Sequence, residues 1–309
     1  MFDLESGANK SMDNSNKEIR IEGRVLRIAR LDAETYHFLP DPGPMIEYLR
    51  SSHERIDIFT FMQNLTETKP KYGYRMEWDN LAVLSISTFA HWWNKQIRST
   101  ARNKAKQAEN KGVVVREVRF DERLVRGIWA IYNECPVRQG RRFPHYGKDL
   151  DTVYKETATY LDYSIFIGAF QGEELIGFTK MVVDQTGMQA GLMNILSRMQ
   201  NRDKAPTNAL LVQAVKSCAD RGISFLVYGN YAYGNKQQDG LSDFKERNGF
   251  QRINVPRYYV SLTRFGGLAL RMGFHHRLAD HCPEFIATML RGLRKHWYGR
   301  YAQSPEGAS

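Results

Sequence analysis

The spacing of apolar residues predicts a small β-rich lobe near the start of the chain. Residues 24–31 and 56–63 alternate between apolar and polar positions, as half-buried strands do. The proline-rich run at 40–44 predicts a loop between these two strands. Residues 74–87 are expected to form a hairpin that turns at Asp79.

A long amphipathic helix is predicted next, at 88–111. Thr88 can cap its first turn, and Gly112 can end it. Apolar residues lie along one side at a spacing of three or four, and basic residues lie along the opposite side. This crossover helix closes a predicted lobe of residues 19–112, and the polar composition of residues 1–18 before it predicts disorder.

From residue 113 to residue 263 the pattern becomes that of an α/β domain. Runs rich in β-branched residues alternate with helical periodicities, and glycine and proline separate them. The predicted order is one strand, two helices, three strands, a helix, a strand, a helix and a strand. Their ranges are 113–118, 124–133, 150–161, 164–170, 174–183, 188–196, 206–220, 223–228, 241–248 and 255–262.

The last part of the chain, 264–309, is predicted to be a basic helical extension. Helices are expected at 265–274 and 283–301. In the second helix, four apolar residues recur at every fourth position: Phe285, Met289, Leu293 and Trp297. Two interpretations stay open, because this stripe can pack on the domain or attach the protein to an anionic membrane.

The net charge of +10 is concentrated in the crossover helix and in the C-terminal extension. The basic residues of the crossover helix are Lys95, Arg98, Arg102, Lys104, Lys106 and Lys111. Localised positive charge favours a polyanionic partner such as tRNA, the phosphates of coenzyme A, anionic lipid or an acidic glycan. The alternative is that these charges serve solubility alone.

The cysteines, the hydropathy and the histidines of the chain argue against disulfides, a membrane span and a metal site. Three scattered cysteines and the lack of a long apolar run predict a cytoplasmic protein without disulfides, and the first residues do not follow the order of a signal peptide. His275, His276 and His281 show no ligand spacing and no nearby acidic partner, so the sequence predicts no metal site.

Three segments resemble the Fem-type peptidyltransferases, a branch of the GNAT acyltransferase superfamily. Residues 98–113 resemble the basic crossover helix of that family, and Ala-Pro-Thr-Asn-Ala-Leu-Leu at 205–211 resembles the start of its donor-side helix. Phe-Lys-x-x-x-Gly-Phe at 244–250 resembles its Phe-Lys-x-x-Phe-Gly segment. Together with the order of elements, the resemblance covers residues 88–263.

The resemblance implies a fold and a reaction. The fold is a GNAT-type α/β domain at 113–263, with a mixed, largely antiparallel central sheet flanked by helices, preceded by a smaller GNAT-like β-rich lobe. The reaction is transfer of an acyl or aminoacyl group from an activated donor to an amine acceptor, in cell-envelope or polysaccharide metabolism. No nucleophile with its own base is recognised, so direct attack by the acceptor is expected.

The donor stays open between acyl-CoA and aminoacyl-tRNA. Members that use acyl-CoA carry Gln/Arg-x-x-Gly-x-Gly/Ala before the donor-side helix, and these glycines let the backbone approach the pyrophosphate. This chain has Arg-Asp-Lys-Ala-Pro-Thr at 202–207, without glycine and with a proline that removes one amide, which favours tRNA or an unusual thioester. Donor phosphates are expected to contact Arg202, Lys204, Thr207 and Asn208.

The resemblance places Lys245 at the reaction centre, as the matching lysine is in that family. Tyr228, Asn230 and Tyr231 follow the strand predicted at 223–228, where ligands bind in open sheets. We expect Tyr228 or Tyr231 to protonate the leaving group, and Tyr231 is also a candidate for contact with substrate. Backbone amides of the strand at 188–196 are expected to stabilise the oxyanion, with Asn230 and Lys245 assisting.

The loop between the first two helices of the domain is expected to border the acceptor. Arg138, Arg142 and Tyr146 are the candidate substrate-binding residues, because guanidinium groups clamp carboxylates and phosphates. His145 is the candidate general base. The alternative reading of the whole chain is a non-catalytic nucleic-acid- or envelope-binding protein on the same fold, and a third reading is a peripheral enzyme at the inner membrane face.

Overall fold

A computed structural model describes residues 19–31, 39, 41–67, 69–138, 140–232 and 240–276. The predicted N-terminal disorder and the helix predicted at 283–301 lie outside these residues. The described residues form a mixed α/β fold, with mostly antiparallel strands flanked by helices, which confirms the predicted fold class.

Twelve strands and eight α-helices lie within the described residues. In chain order they are β1 (Ile19–Glu22), β2 (Ile28–Leu31), α1 (Gly43–Ser51), β3 (Ile58–Met62), β4 (Arg75–Ser85), α2 (Phe89–His91), α3 (Ser99–Asn110), β5 (Val114–Val118), α4 (Glu122–Tyr132), β6 (Val137–Arg138), β7 (Arg141–Arg142), α5 (Leu150–Thr157), β8 (Ser164–Gln171), β9 (Glu174–Val183), β10 (Gln189–Ser197), α6 (Pro206–Asp220), β11 (Phe225–Asn230), α7 (Gly240–Arg247), β12 (Gln251–Ser261) and α8 (Arg264–Arg271).

Contacts divide the described residues into two compact units. The first comprises the residues up to Leu81 and those from Arg252 onward, and the second comprises Ala82–Gln251. The helix α3 therefore groups with the second unit and most of β12 groups with the first, whereas the sequence prediction places the boundaries at 112 and 263.

The first unit is built on the strand order β1-β2-β3-β12-β4. The strands β2 and β3 are parallel, while β1 pairs with β2 and β12 pairs with β3 in antiparallel fashion. Every residue of β3 is buried, because the apolar cluster of this unit packs around it. Phe61 stacks on Tyr258 at 5.3 Å between ring centroids, so aromatic cross-strand contacts help to hold the register of β3 and β12.

The second unit follows the order β11-β10-β9-β8-β5, and the last residues of β4 lie next to β11. The pairs β5/β8, β8/β9 and β9/β10 are antiparallel, and β10/β11 is parallel. The helix α6 buries Leu210, Leu211, Ala214 and Val215 in the main apolar cluster of this unit. The helices α4 and α5 bury a second cluster that includes Phe166 and Phe178.

Side-chain caps explain where the helices α4 and α5 begin. Asp121 accepts a hydrogen bond from the amide of Leu124 at 2.8 Å, and Asp149 accepts one from Thr152 at 2.7 Å. Each carboxylate satisfies an amide that has no partner within its helix. The predicted cap at Thr88 is also confirmed, since its hydroxyl accepts from the amide of His91 at 3.0 Å.

Two local predictions are wrong for identifiable reasons. The hairpin predicted at 74–87 is the single strand β4, in which Asp79 pairs with Arg257 at 2.9 Å, so the acidic residue is neutralised within the sheet. The run at 40–44 is not only loop, because α1 begins at Gly43 with a proline in its first turn, where the missing amide costs nothing.

The crossover helix is interrupted rather than continuous. A single π-helical turn at Trp92–Gln96 follows α2, and Ile97 adopts an extended backbone. The amide of Arg98 donates to the carbonyl of Arg247 at 2.8 Å, so it leaves the helical hydrogen-bond ladder. Gly249 fits against this break, since its φ is +87° and a Cβ there would lie 3.2 Å from the carbonyl oxygen of Gln96.

Helix length and hydropathy together decide whether a segment can span a membrane. A helix needs about 20 mostly apolar residues to cross the hydrocarbon core of a bilayer. Among the described residues, no helix is both long enough and apolar enough to do so.

Candidate active site

The strands β10 and β11 stop pairing halfway along their length. Their parallel ladder joins Gln189 to Phe225, continues through the next pair and ends at Gly191 and Val227. Both strands continue beyond that pair, β10 to Ser197 and β11 to Asn230. The divergence leaves backbone groups of β10 directed toward the opening, at the place where open α/β sheets bind ligands.

A bulge lies on β10 at the mouth of this opening. The antiparallel register with β9 shifts between Leu192 and Asn194, so Met193 has no partner residue on β9. Bulges bend a strand and reorient its backbone groups, and they are frequent beside active sites. The bulge therefore places Met193 outside the regular pairing with β9, beside the point where β10 and β11 separate.

Lys245 is buried at the end of β11 and is 0 % exposed. Its Nζ donates a hydrogen bond to the carbonyl of Asn230 at 2.5 Å and lies 4.8 Å from the centroid of the Tyr228 ring. A carbonyl dipole and an aromatic face both attract a cation, and the low dielectric of the interior strengthens both contacts. The structure therefore brings together three of the residues that the sequence singled out.

The segment after Tyr228 is held from two sides. Gly229 has a φ of +55°, which turns the chain at the end of β11. Ser242, in α7, donates to the carbonyl of Tyr231 at 3.3 Å. The ring of Tyr228 packs against Phe250, with 6.0 Å between the centroids. These contacts hold residues 228–231 against α7 and Phe250.

The loop before α6 satisfies several of its own amides. It forms a 3-10 turn at Arg202–Lys204, and Ala205 has a left-handed φ of +52°. The amides of Lys204 and Ala205 donate to carbonyls within the loop at 3.0 and 3.1 Å, and Asn208 donates to the carbonyl of Ala205. Arg202 is exposed and Lys204 is half-buried, so both cations can still meet a ligand phosphate.

A carboxylate of the protein occupies the first amides of the same loop. Glu134 accepts hydrogen bonds from the amide of Met199 at 2.6 Å and from the amide of Gln200 at 3.1 Å. Free amides at such a position would form a cradle for a phosphate. Here a carboxylate takes their place, and it also pairs with Arg138 at 3.4 Å. Sequence reasoning missed Glu134, because no local pattern links it to a loop 65 positions away.

Arg138 connects the acceptor-side loop to the end of β10. It donates to the carbonyls of Ser197 at 2.8 Å and Ile131 at 2.6 Å, and its guanidinium lies over Phe143. Burial lowers the pKa of this arginine. Ser197 in turn lies 3.0 Å from the hydroxyl of Thr207, so these contacts run from the acceptor-side loop to the first turn of α6.

His145 is half-buried between aromatic rings and charged groups. Its ring stacks on Tyr132 at 4.3 Å, and its Nδ1 lies 3.2 Å from Nζ of Lys148, which pairs with Glu156. Burial, with a further contribution from Lys148, lowers the pKa of His145 below its usual value of 6.5. The imidazole is therefore neutral at neutral pH, which is the state that a general base requires.

The other two candidate substrate residues lie on the surface of the same loop. Arg142 is exposed on β7, and Tyr146 is 44 % exposed. Their roles, like those of His145 and Arg138, stay predictions.

Lys180 is a second buried lysine, and it is not among the site residues predicted from the sequence. It is 0 % exposed on β9 and donates to the carbonyl of Thr157 at 2.8 Å and to the hydroxyl of Thr159 at 3.1 Å. Burial lowers its pKa to about 8. A lysine inside the otherwise apolar run of β9 was a signal that sequence reasoning could have used.

Comparison with known proteins identifies the fold. No protein-family model matches this sequence, and no curated protein matches it at the sequence level. Similar solved structures are the C-terminal domain of a putative lysylphosphatidylglycerol synthetase from Agrobacterium fabrum (16 % identity, 82 % of each chain covered, TM-score 0.53) and L-PGS from Bacillus licheniformis (13 % identity, 82 % of this chain and 84 % of that chain, TM-score 0.56).

The crystal structure of FemX is also similar, at 11 % identity, with 82 % of this chain and 92 % of that chain covered and a TM-score of 0.52. At these identities the likeness shows the fold alone. The chain therefore has a GNAT-like fold of the kind found in Fem-type proteins, as the resemblance implied.

Proposed function

We propose that this protein is an acyltransferase that moves an aminoacyl group from tRNA to an amine acceptor. The GNAT-like fold and the separation of β10 from β11 support a transferase with an open donor groove. The choice of donor rests on one observation, which is that the loop before α6 uses its amides on its own carbonyls and on Glu134 and leaves no glycine cradle at 202–207. A pyrophosphate would find few free amides in this loop, whereas an aminoacyl ester needs no such cradle.

The proposed reaction is a direct attack of the acceptor amine on the ester carbonyl of the donor. The new C–N bond forms, and the C–O bond to the ribose breaks. His145 takes the proton of the amine, and Tyr228 supplies a proton to the leaving oxygen. Amides of β10 near Met193 and the side chain of Asn230 stabilise the oxyanion.

Lys245 acts in this proposal from behind β11 rather than on the substrate itself. Its side chain is fully buried, and its Nζ contacts Asn230 and Tyr228. It therefore fixes the two residues that face the opening and contributes a positive potential at the place where negative charge develops. We assign it as a positioning residue.

The tRNA contact is proposed along α3 and the turn before it. Lys95, Arg98, Lys104, Lys106 and Lys111 are exposed there. Arg98 pairs with Glu246 and Lys111 pairs with Asp203, so Lys95, Lys104 and Lys106 are the best placed for phosphates. Arg202 and Lys204 supply further positive charge at the donor-side loop.

A peripheral membrane contact is proposed for α8, at the cytoplasmic face of the inner membrane. Phe265, Leu268 and Met272 are 41 %, 54 % and 55 % exposed, and Arg264 and Arg271 are exposed on the same helix. Exposed apolar residues combined with arginines are typical of helices that lie on anionic bilayers. A cell-envelope acceptor fits this location.

The experiment is a comparison of donors. Thermal shift and equilibrium binding are measured for the purified chain with aminoacyl-tRNA, uncharged tRNA, acetyl-CoA and coenzyme A, followed by transfer of a radiolabelled aminoacyl group to model amines. We expect binding of tRNA and transfer from its aminoacyl form. Stabilisation by acetyl-CoA with no response to tRNA would assign the other donor. Binding of tRNA without any transfer would favour a non-catalytic RNA-binding protein.

A further inference from the structure

A cluster of two histidines and a glutamate lies in the first unit and includes none of the residues assigned to acyl transfer. Glu77 is on β4, and His275 and His276 follow α8. The Oε1 atom of Glu77 lies 2.9 Å from Nε2 of His275 and 3.3 Å from Nε2 of His276. In the sequence, no acidic residue lies near these histidines at ligand spacing. In the fold, Glu77, which is 198 positions before His275, lies beside them.

The separations among these atoms are compatible with a zinc site. One ligand atom from each residue lies within 4.8 Å of the others. In a tetrahedral site with Zn–N bonds of 2.0–2.1 Å, the ligand atoms are about 3.3 Å apart. Two of the separations observed here are close to that value. Two imidazoles and one carboxylate also form a ligand set that first-row transition metals, and zinc in particular, favour.

The surroundings of His275 provide a second and independent observation. Its side chain is 0 % exposed, and its Nδ1 is buried without a hydrogen-bond partner. The ring is held between Tyr259, at 4.6 Å, and His276, at 4.0 Å. A metal on Nε2 would not give Nδ1 a partner, so the burial alone bears on metal binding: a ring removed from water needs a strong interaction at Nε2.

Both imidazoles are directed at the same carboxylate oxygen. Arg75 also approaches that oxygen, at 3.5 Å, but its other terminal nitrogen donates to the carbonyl of Leu270 at 2.6 Å. Several groups thus share one acceptor that has few lone pairs. A divalent cation placed among the three ligand atoms would give each of them a full bond.

We propose that Glu77, His275 and His276 bind one zinc ion, with the fourth position open to water. This site is independent of acyl transfer and goes beyond the proposed function. Bound zinc would tie β4 to the segment that follows α8, so its removal should loosen that segment.

Zinc binding by the whole chain tests the proposal. Protein treated with EDTA and dialysed is titrated with ZnSO4 by calorimetry, and bound metal is counted by plasma mass spectrometry. We expect one zinc per chain and a higher Tm with metal. His276→Gln and Glu77→Gln should each weaken binding by more than tenfold, since loss of even an outer-shell partner costs about 10–100-fold. The exposed His53 supplies the matched control, and His53→Gln should bind as the wild type does.

The ligand type is tested with Co²⁺ in place of zinc. Nitrogen and oxygen ligands should give visible d–d bands without the intense near-ultraviolet band of a thiolate. A thiolate band, or equal zinc affinity in the wild type and both variants, would overturn the proposal. The proposal would also be overturned if the EDTA-treated wild type took up less than one zinc per chain in the titration. Circular dichroism of the metal-free variants separates the removal of a ligand from a failure to fold.

Discussion

At the scale of single residues, the two fully buried lysines of the second unit offer a matched pair. Lys245 contacts residues at the end of β11, whereas Lys180 contacts the backbone at the end of α5. Both are 0 % exposed, so substitution of either costs the protein comparable packing. Their difference in position, rather than in burial, should decide their effect on activity.

Lys245→Met should lower kcat by about 10–100-fold, with a smaller change in KM for the donor. The substitution keeps the volume but releases the carbonyl of Asn230, and small displacements of catalytic groups are enough for losses of this size. Lys180→Met should keep the kcat of the folded fraction. Steady-state kinetics on both variants, corrected by circular dichroism, measures the contrast. Equal losses in the two variants would reduce Lys245 to a structural role.

The lowered pKa of His145 predicts the direction in which the free energy of unfolding changes with pH. Its pKa in the folded protein is below the value of 6.5 expected in the unfolded chain, so the unfolded chain binds more protons in that window. The neutral imidazole therefore stabilises the fold fully above pH 6.5, and this contribution is lost as the pH falls toward the folded-state pKa. His145→Gln should flatten this part of the stability profile, measured by urea unfolding between pH 5 and 8.

The catalytic role of His145 has a separate readout. If the ring is the base, kcat/KM falls on the acid side below pH 6.5, and His145→Gln lowers kcat/KM by about 10²–10⁴-fold. A variant that changes the stability profile but keeps its activity would assign the histidine to the fold alone.

At the scale of elements, α3 and the turn before it present the positive charge that the tRNA proposal needs. Changing Lys95, Lys104 and Lys106 to glutamine should weaken the binding of tRNA whatever the sequence of the tRNA. The slope of log K against log salt should fall by about 0.7–0.9 for each phosphate that the protein no longer neutralises. Filter binding from low to high salt measures the slope. The exposed Lys155 and Lys216 provide a control, and their glutamine variants should leave the slope unchanged.

The exposed face of α8 makes a prediction that does not depend on the donor. The wild type should float with vesicles that contain phosphatidylglycerol and should not float with phosphatidylcholine alone. Leu268→Gln with Met272→Gln should abolish flotation, because two apolar side chains no longer enter the bilayer. Val25→Gln, at another exposed apolar position of the same unit, is the control. Binding that survives the double substitution would contradict a membrane contact through this face.

Elements were more predictable than the contacts between them. The strand β9 and the helix α6 have the predicted limits, because an apolar run and a proline at a first helical turn act locally. The interruption at Ile97 was not predictable, since it depends on the carbonyl of Arg247 reaching the amide of Arg98. The helical spacing of apolar residues continues through Ile97 in the sequence, but the hydrogen bond from Arg98 to Arg247 interrupts the helix there.

At the scale of the whole molecule, the fold class followed from the order of elements, but the site did not follow from its motifs. Tyr228, Asn230 and Lys245 do lie together, as the predicted strand end and the resemblance suggested. Glu134 and Glu77 could not be identified, because their importance arises from pairings 65 and 198 positions apart in the sequence. Long-range pairing of buried polar groups is set by the tertiary structure alone.

The placement of β12 has a consequence for synthesis on the ribosome. In the first unit β12 pairs with β3, yet the residues Ala82–Gln251, which form the second unit, are synthesised between them. At about 5–20 residues per second, β3 waits for its partner for about 10–30 seconds, while Ala82–Gln251 can fold without delay. The edge of β3 that β12 later covers is unpaired during that interval, although β2 can already pair with the other edge, so the nascent chain is more open to wrong strand pairing there than the finished protein is.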